Sequence, residues 1–332
     1  MHRRASSVAL WAALFVVGGC SADDAPPVEV DPSGRSAPPT ASPESPSPPP
    51  GTTPAPVEVP PIRADDLDPA TAVRVVRHLS GTIGPREATG EAYVSAARWV
   101  ARSFAEMEYD LVRQSFSVPA GESWGVPVPA GRTFNLVATP VGFDSSRAHL
   151  VVGAHLDTVP QAPGAEDNAS GVGVMLAVAE AASAGRTRLP VVFVAFGAEE
   201  PRGPGDDRHH YGSREYVAAL TAAERRAVRG MVSLDRVGVG DVVPVGSAVA
   251  ADPVQQALLA AARRVGAMTV AEAEQRSSDH WSFVKAGLPA ARLGSTPYVD
   301  YHSAGDVASV VSSDQLERVG RIVVSWLAPR SG

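Results

Sequence analysis

From residue 65 onward the chain switches repeatedly between two spacings of apolar residues. DPATAVRVVRHLS and GEAYVSAARWVARSFAEME place them at helical intervals, while Leu111 to Val118, Phe134 to Thr139 and His149 to Gly153 read as strands. Gly171 to Ala184 is small and apolar, as a helix packed closely on a sheet must be, and LPVVFVAFG is the near-continuous run of a strand buried on both faces. REYVAALTAAERRAV reads as one helix leading into the strand GMVSLDRVG. DPVQQALLAAARRVG and SSDHWSFVKAG read as helices, LPAARLG as a strand and SSDQLERVGRIVVSWLA as a last helix. This alternation predicts an α/β fold with a mixed, mostly parallel central sheet and helices on both faces.

The first sixty residues do not share the pattern. Fourteen of the thirty prolines lie between Ser21 and Pro61, too poor in apolar surface to offset the entropy of ordering, so the expectation is a disordered tether leaning to polyproline II. Before it, Arg3 and Arg4 precede a short apolar core from Val8 to Val17, followed by small residues as in a signal peptide. Val17-Gly18-Gly19-Cys20 resembles the lipobox of bacterial lipoproteins, in which the cysteine is lipidated. The expected organisation is a lipoprotein-type signal peptide over 1–20, a tether over 21–61 and one folded domain over 62–332. It implies an extracytoplasmic protein held at the membrane by a lipid on Cys20, with a plainly secreted protein as the alternative. Cys20 is the only cysteine, so no disulfide is available within the chain.

The net charge of −7, without a basic patch interleaved with aromatics, argues against a nucleic-acid partner. The informative charges sit where the predicted strands end. HLVVGAHLDTVPQAPGAEDNASGVGV carries His155, Asp157, Glu166 and Asp167 between two segments that look buried. Glu199 and Glu200 follow VVFVAFGA, Asp235 ends MVSL, and His302 lies in DYHSAGD. In open α/β sheets, sites form beyond the carboxyl ends of the strands. Any one of these residues reads blandly as a cap or a solvated bend; five separate ends converging on carboxylate and imidazole read as ligands. Such a set, without thiolate, suits a hydrolytic zinc site, with manganese or cobalt as alternatives, and it exceeds what one ion needs.

GAHLDTV, GAEDNASG, AFGAEE, SLDRVG, SDHWSFVKAGLPA and YHSAGD, in this order, resemble the secreted bacterial di-zinc aminopeptidases. Their co-catalytic zinc exopeptidase superfamily also includes glutamate carboxypeptidases and glutaminyl cyclases. The resemblance runs from about Leu67 onward, with Gly84-Pro85-Arg86 as a weak N-terminal match, and implies a three-layer sandwich. It implies two zinc ions bridged by Asp167, with Glu200 and His302 on one and His155 and Asp235 on the other. Glu199 matches the general base, Asp157 the carboxylate that orients His155 through its other ring nitrogen, and Tyr301 a tyrosine that stabilises the tetrahedral oxyanion. The implied substrates are peptides cleaved at their N-terminal residue; carboxypeptidase or glutaminyl cyclase-like chemistry and a non-catalytic binding protein are the alternatives. Pro201 to Tyr211 departs from compact members by its length, and its Asp206, Asp207, His209 and His210 are read as a rim shaping access, not as ligands. Arg236 stands where relatives more often carry an apolar residue, and either pairs with an acid near the site or alters the substrate pocket. Asp279 and His280 match a motif beside the site that supplies no metal ligand.

Overall fold

Nearly every side chain of the segment Val191–Phe196 is buried, and this strand lies in the middle of an eight-stranded sheet. The computed structural model describes residues 59–330; the expected signal peptide, Cys20 and most of the expected tether lie outside the described residues. In chain order the elements are α1 (Pro69–Val76), α2 (Glu91–Glu106), β1 (Asp110–Val118), β2 (Gly121–Ser123), β3 (Val126–Val128), β4 (Gly131–Thr139) and β5 (His149–His155). There follow α3 (Gly171–Ala184), β6 (Val191–Phe196), α4 (Tyr211–Ala219), α5 (Ala222–Ala227), β7 (Val228–Leu234) and β8 (Val243–Gly246). The last are α6 (Pro253–Arg264), β9 (Thr269–Glu272), α7 (His280–Lys285), β10 (Ala290–Leu293) and α8 (Ser313–Leu327). No helix among the described residues is long and apolar enough to cross a membrane.

The sheet order is β1-β4-β6-β5-β7-β10-β8-β9. β6, β5, β7 and β10 are mutually parallel, whereas β4 runs against β6, β1 against β4 and β8 against β10. The fold is therefore the expected mixed α/β one, parallel at its centre. Alternation along the central strands sends Leu150, Val152, Phe193 and Ala195 toward a layer of α1, α2, α3, α6 and α8. Val151, Val192, Val194 and Phe196 face the opposite side, against residues of α4 and α7. α3 is the inner helix of the larger layer and is buried over Gly171–Ala179. Its small residues follow from that crowding: a Cβ on Gly173 would lie 2.8 Å from the Ala72 carbonyl oxygen of α1.

Three local features differ from the sequence expectation. The segment read as one helix after Arg214 breaks into α4 and α5, because Thr221 and Glu224 form a capping box that starts a new helix. The hairpin β2–β3 and the edge strand β9 escaped the apolar pattern, since most of their residues are exposed or half-buried. At the other end, Pro60 O accepts a bond from Arg186 N at 2.7 Å, Pro61 bridges to Arg186, and Ile62 is buried. The last residues assigned to the tether are thus already held by the folded part.

Phe193 is fully buried on β6, with ring centroids of Tyr109 at 5.5 Å and Phe104 at 6.0 Å. Phe193→Ala should destabilise the protein by about 3–5 kcal/mol, seen as a lower urea midpoint with an unchanged slope.

Candidate active site

Strand register sets the level of the first ligands. β5 and β7 pair Gly153 with Ser233, so His155 and Asp235, each two residues further on, end up side by side beyond the carboxyl edge. β6 pairs Phe196 with His155 on the other flank, and the turn after it delivers Glu199 and Glu200. The Asp157 carboxylate accepts the main-chain N–H groups of both glutamates, at 3.1 and 3.2 Å. Asp167 comes from the crossover turn before α3, whose Asp167–Asn168 peptide bond is cis.

That turn is tied down from three directions. Asp306 accepts the N–H groups of Glu166 and Asp167 on separate oxygens, at 2.7 and 3.1 Å. The Asn168 amide donates to Leu234 O at 2.8 Å and accepts from Gly171 N and Arg236 N, which joins the turn to the end of β7. Arg86, fully buried, donates to Leu156 O, Pro163 O and Gly164 O, and so closes the loop between β5 and the turn. Glu166 is bound to Gly238 N at 2.8 Å and Val239 N at 3.2 Å, holding the loop after β7; burial pushes its carboxyl up to about 8.

The centre of the site is the Asp167 carboxylate. Oδ1 lies 3.1 Å from His155 Nε2, and Oδ2 lies 3.0 Å from His302 Nε2. Asp235 Oδ1 is 3.7 Å from the first imidazole, and Glu200 Oε2 is 3.5 Å from the second. The five side chains therefore form two half-sites that share Asp167, and none is more than 9% exposed. Ligand atoms of His155, Asp167 and Glu200 all lie within 4.8 Å of one another.

The electrostatics are those of a site short of positive charge. Burial, with the carboxylates of Asp167 and Glu199 close by, pushes the Glu200 carboxyl well above its usual range. Burial opposes a charged His155, but the Glu199, Asp167 and Asp235 carboxylates outweigh it and raise that imidazole. Glu200 Oε1, Asp235 Oδ1 and both ring nitrogens of His302 have no hydrogen-bond partner although buried. Orphaned buried ligand atoms and crowded carboxylates are costly unless a cation compensates them. Imidazole and carboxylate without thiolate fit zinc at a hydrolytic centre.

The neighbours of this cluster refine the sequence reading. His155 Nδ1 lies 3.1 Å from the main-chain oxygen of Asp157 and 3.8 Å from its carboxylate, so the carbonyl makes the hydrogen-bond contact to the ring. The carboxylate faces the Glu199 and Glu200 amides, and burial raises it to about 6. Arg236 approaches Asp235 Oδ1 at 3.5 Å and stacks over the Tyr301 ring at 4.7 Å, while buried Arg292 donates to Asp235 O at 2.8 Å. Tyr301 stacks on His302 with 3.6 Å between centroids, and Trp124, from the β2–β3 turn, meets the same imidazole edge-on at 4.4 Å. Trp124, Tyr301, His302, Glu199, Glu200 and His209 line one cleft of about 660 Å³. Asp279 and His280 are buried, and neither belongs to the shared cluster.

The loop from Pro201 is only partly a rim. Its Asp206 reaches Lys285 Nζ and Trp281 Nε1, each at 2.8 Å, and His209 borders the cleft. Arg202 and His210, however, are buried: Arg202 bonds Pro119 O, Pro129 O and Glu87, and His210 Nε2 lies 3.2 Å from Glu199 Oε1. Neither contact has a spacing signal: Arg202 meets segments distant in the chain, and His210 meets Glu199 only because the loop between them folds back on itself. Asp306 carried the one available signal, its place in the motif YHSAGD.

Residues 135–327 match the family description "Peptidase family M28". Aminopeptidase YwaD of Bacillus subtilis is 30% identical over 187 residues, which cover 53% of this chain and 40% of that protein. The chain spans between 35% and 52% of the length of the curated relatives it matches. The fold is similar to that of BSAP, a zinc aminopeptidase from Bacillus subtilis, with a TM-score of 0.69 at 18% identity, covering 78% of this chain and 94% of that one. A glutaminyl cyclase from Fimbriiglobus ruber is comparably similar, with a TM-score of 0.67 at 24% identity, covering 79% and 95% of the two chains.

Asp306 bonds to the turn that carries Asp167 without itself being placed in the shared cluster. Asp306→Asn leaves only one acceptor oxygen for the two amides and should weaken zinc binding by about 10–100-fold, measured by competition with a chelating dye.

Proposed function

The chain belongs to peptidase family M28, and we propose that it is an extracytoplasmic zinc aminopeptidase that removes N-terminal residues from peptides. The observation that carries this reading is the division of the Asp167 carboxylate between two imidazoles, one oxygen to each, inside a buried set of carboxylates. A side chain so placed suits a bridge between two zinc ions, with His155 and Asp235 completing one set and Glu200 and His302 the other. The names of YwaD and BSAP, an aminopeptidase and a zinc aminopeptidase, support the substrate class and the metal. Zinc bound there supplies Lewis acidity, which lowers the pKa of water toward neutrality and polarises a carbonyl oxygen.

The residues then divide the work. Glu199 borders the cleft and stands outside the five-residue cluster, so its carboxylate is free to take a proton from the attacking water and return it to the departing amine. Peptide and water are consumed, and a free amino acid and a shortened peptide result. Tyr301, 37% exposed at the cleft wall and stacked on His302, is the candidate hydroxyl donor to the oxyanion. Cys20 would carry the lipid that holds the protein at the membrane, supported by its place after a short apolar core as the only cysteine of the sequence.

Purified protein should contain about two zinc ions, and chelation should abolish peptide hydrolysis until zinc is restored. Asp167→Asn should be the most damaging ligand change. Glu199→Gln should keep its zinc and melting temperature while losing on the order of 10²–10⁴ in kcat, with KM little changed. Mass spectrometry of peptide products decides the class: released N-terminal residues support the proposal, and pyroglutamate formation or release from the carboxyl end overturns it. Cys20→Ala should move the protein out of the membrane fraction with unchanged turnover; continued membrane association would reject the lipid anchor.

A further inference from the structure

We propose that His210 is a positioning residue for Glu199: its imidazole holds one oxygen of that carboxylate and leaves the other to face the cleft. This rests on Glu199 being the general base. Among the described residues, His210 provides the side-chain contact to the Glu199 carboxylate, with Nε2 at 3.2 Å from Oε1. A base must stand within hydrogen-bond reach of the proton it takes, and displacement by about 1 Å can cost 10²-fold in rate. A carboxylate tethered through one oxygen keeps the other in place.

The backbone is arranged to deliver this imidazole. After Glu200 the chain makes an excursion whose neck is closed by Arg202 N donating to Arg208 O at 2.9 Å. It then returns to the residue it left: His210 N donates to Glu199 O at 2.9 Å, and Tyr211 N donates to Ala198 O at 2.9 Å. Gly212 lets α4 begin against the strand end, since a Cβ there would overlap Gly197 O and the Asn135 side chain. His210 itself is 3% exposed and has φ of +55°, the left-handed region where glycine is the natural occupant. A histidine kept there, buried and aimed at a carboxylate, is strain retained for its side chain. Neighbouring His209 borders the cleft with its ring 5.5 Å away and makes no side-chain bond to Glu199.

The left-handed backbone makes the test clean. His210→Gly and His210→Asn remove the reach of the imidazole with residues that tolerate this φ, whereas His210→Gln keeps an N–H donor. In the full chain, the Gly and Asn variants should retain wild-type zinc content and melting temperature and lose about 10–100-fold in kcat with little change in KM. His210→Gln should recover a large part of that loss. His210→Gly introduced into Glu199→Gln should cost nothing further, because the imidazole then has no base left to position. Wild-type kcat in both deletion variants, loss of zinc in either, a Gln variant no better than Gly, or additive losses in the double variant would each overturn the proposal. If His210→Gly does not fold, the Asn and Gln variants carry the comparison. The reading of Glu199 fails separately: an active wild type with an undiminished Glu199→Gln variant rejects the base, whatever His210 does.

Discussion

Everything around the site depends on one electrostatic constraint: several carboxylates are gathered with two imidazoles in one buried cluster. Asp167, Glu200 and Asp235 meet two imidazoles beyond the carboxyl edge of the sheet; burial pushes Glu200 well above its usual range, while against that burial His155 and His302 hold Asp167 low and Arg292 and His155 hold Asp235 low. Bound zinc would compensate the crowded carboxylates, and Asp167 offers one oxygen to each imidazole.

Gathering like charges requires a scaffold that does not yield, which accounts for much polar chemistry outside the ligands. Asp306 holds the amides of the crossover turn, Asp157 holds those of the two glutamates, and Glu166 holds the loop after β7. Arg86 donates to four main-chain carbonyls, and Arg292 and Arg236 flank Asp235. Apart from Arg236, which pairs with the Asp235 carboxylate, each is an acceptor or donor satisfied by main chain, which fixes a loop that has no regular structure of its own.

The cleft walls are built on the same economy. Arg202 bonds both ends of the segment containing the β2–β3 hairpin, which ties the hairpin bearing Trp124 to the loop bearing His209 and His210. Trp124 meets the His302 ring edge-on, Tyr301 stacks on it, and the loop residues His209 and His210 line the same cleft.

Much of this molecule was legible before folding. Apolar periodicity identified the central strands and most helices, because burial on two faces writes a continuous run and burial on one helical face writes a repeat. Placing His155, Asp157, Asp167, Glu199, Glu200, Asp235 and His302 at strand and loop ends was equally readable, since chemistry at an open α/β sheet collects at the carboxyl edge. Where the signal was local but unread, as with the Thr221–Glu224 capping box that splits a helix, periodicity simply dominated the reading. Other features have no local signal. The contact of His210 with Glu199, the Arg202 bonds to Pro119 and Pro129, and the backbone role of Asp157 depend on loop paths that only tertiary packing decides. A ligand type can be inferred from residue chemistry, but the partner of a buried polar atom is set by whichever distant segment arrives within about 3 Å of it.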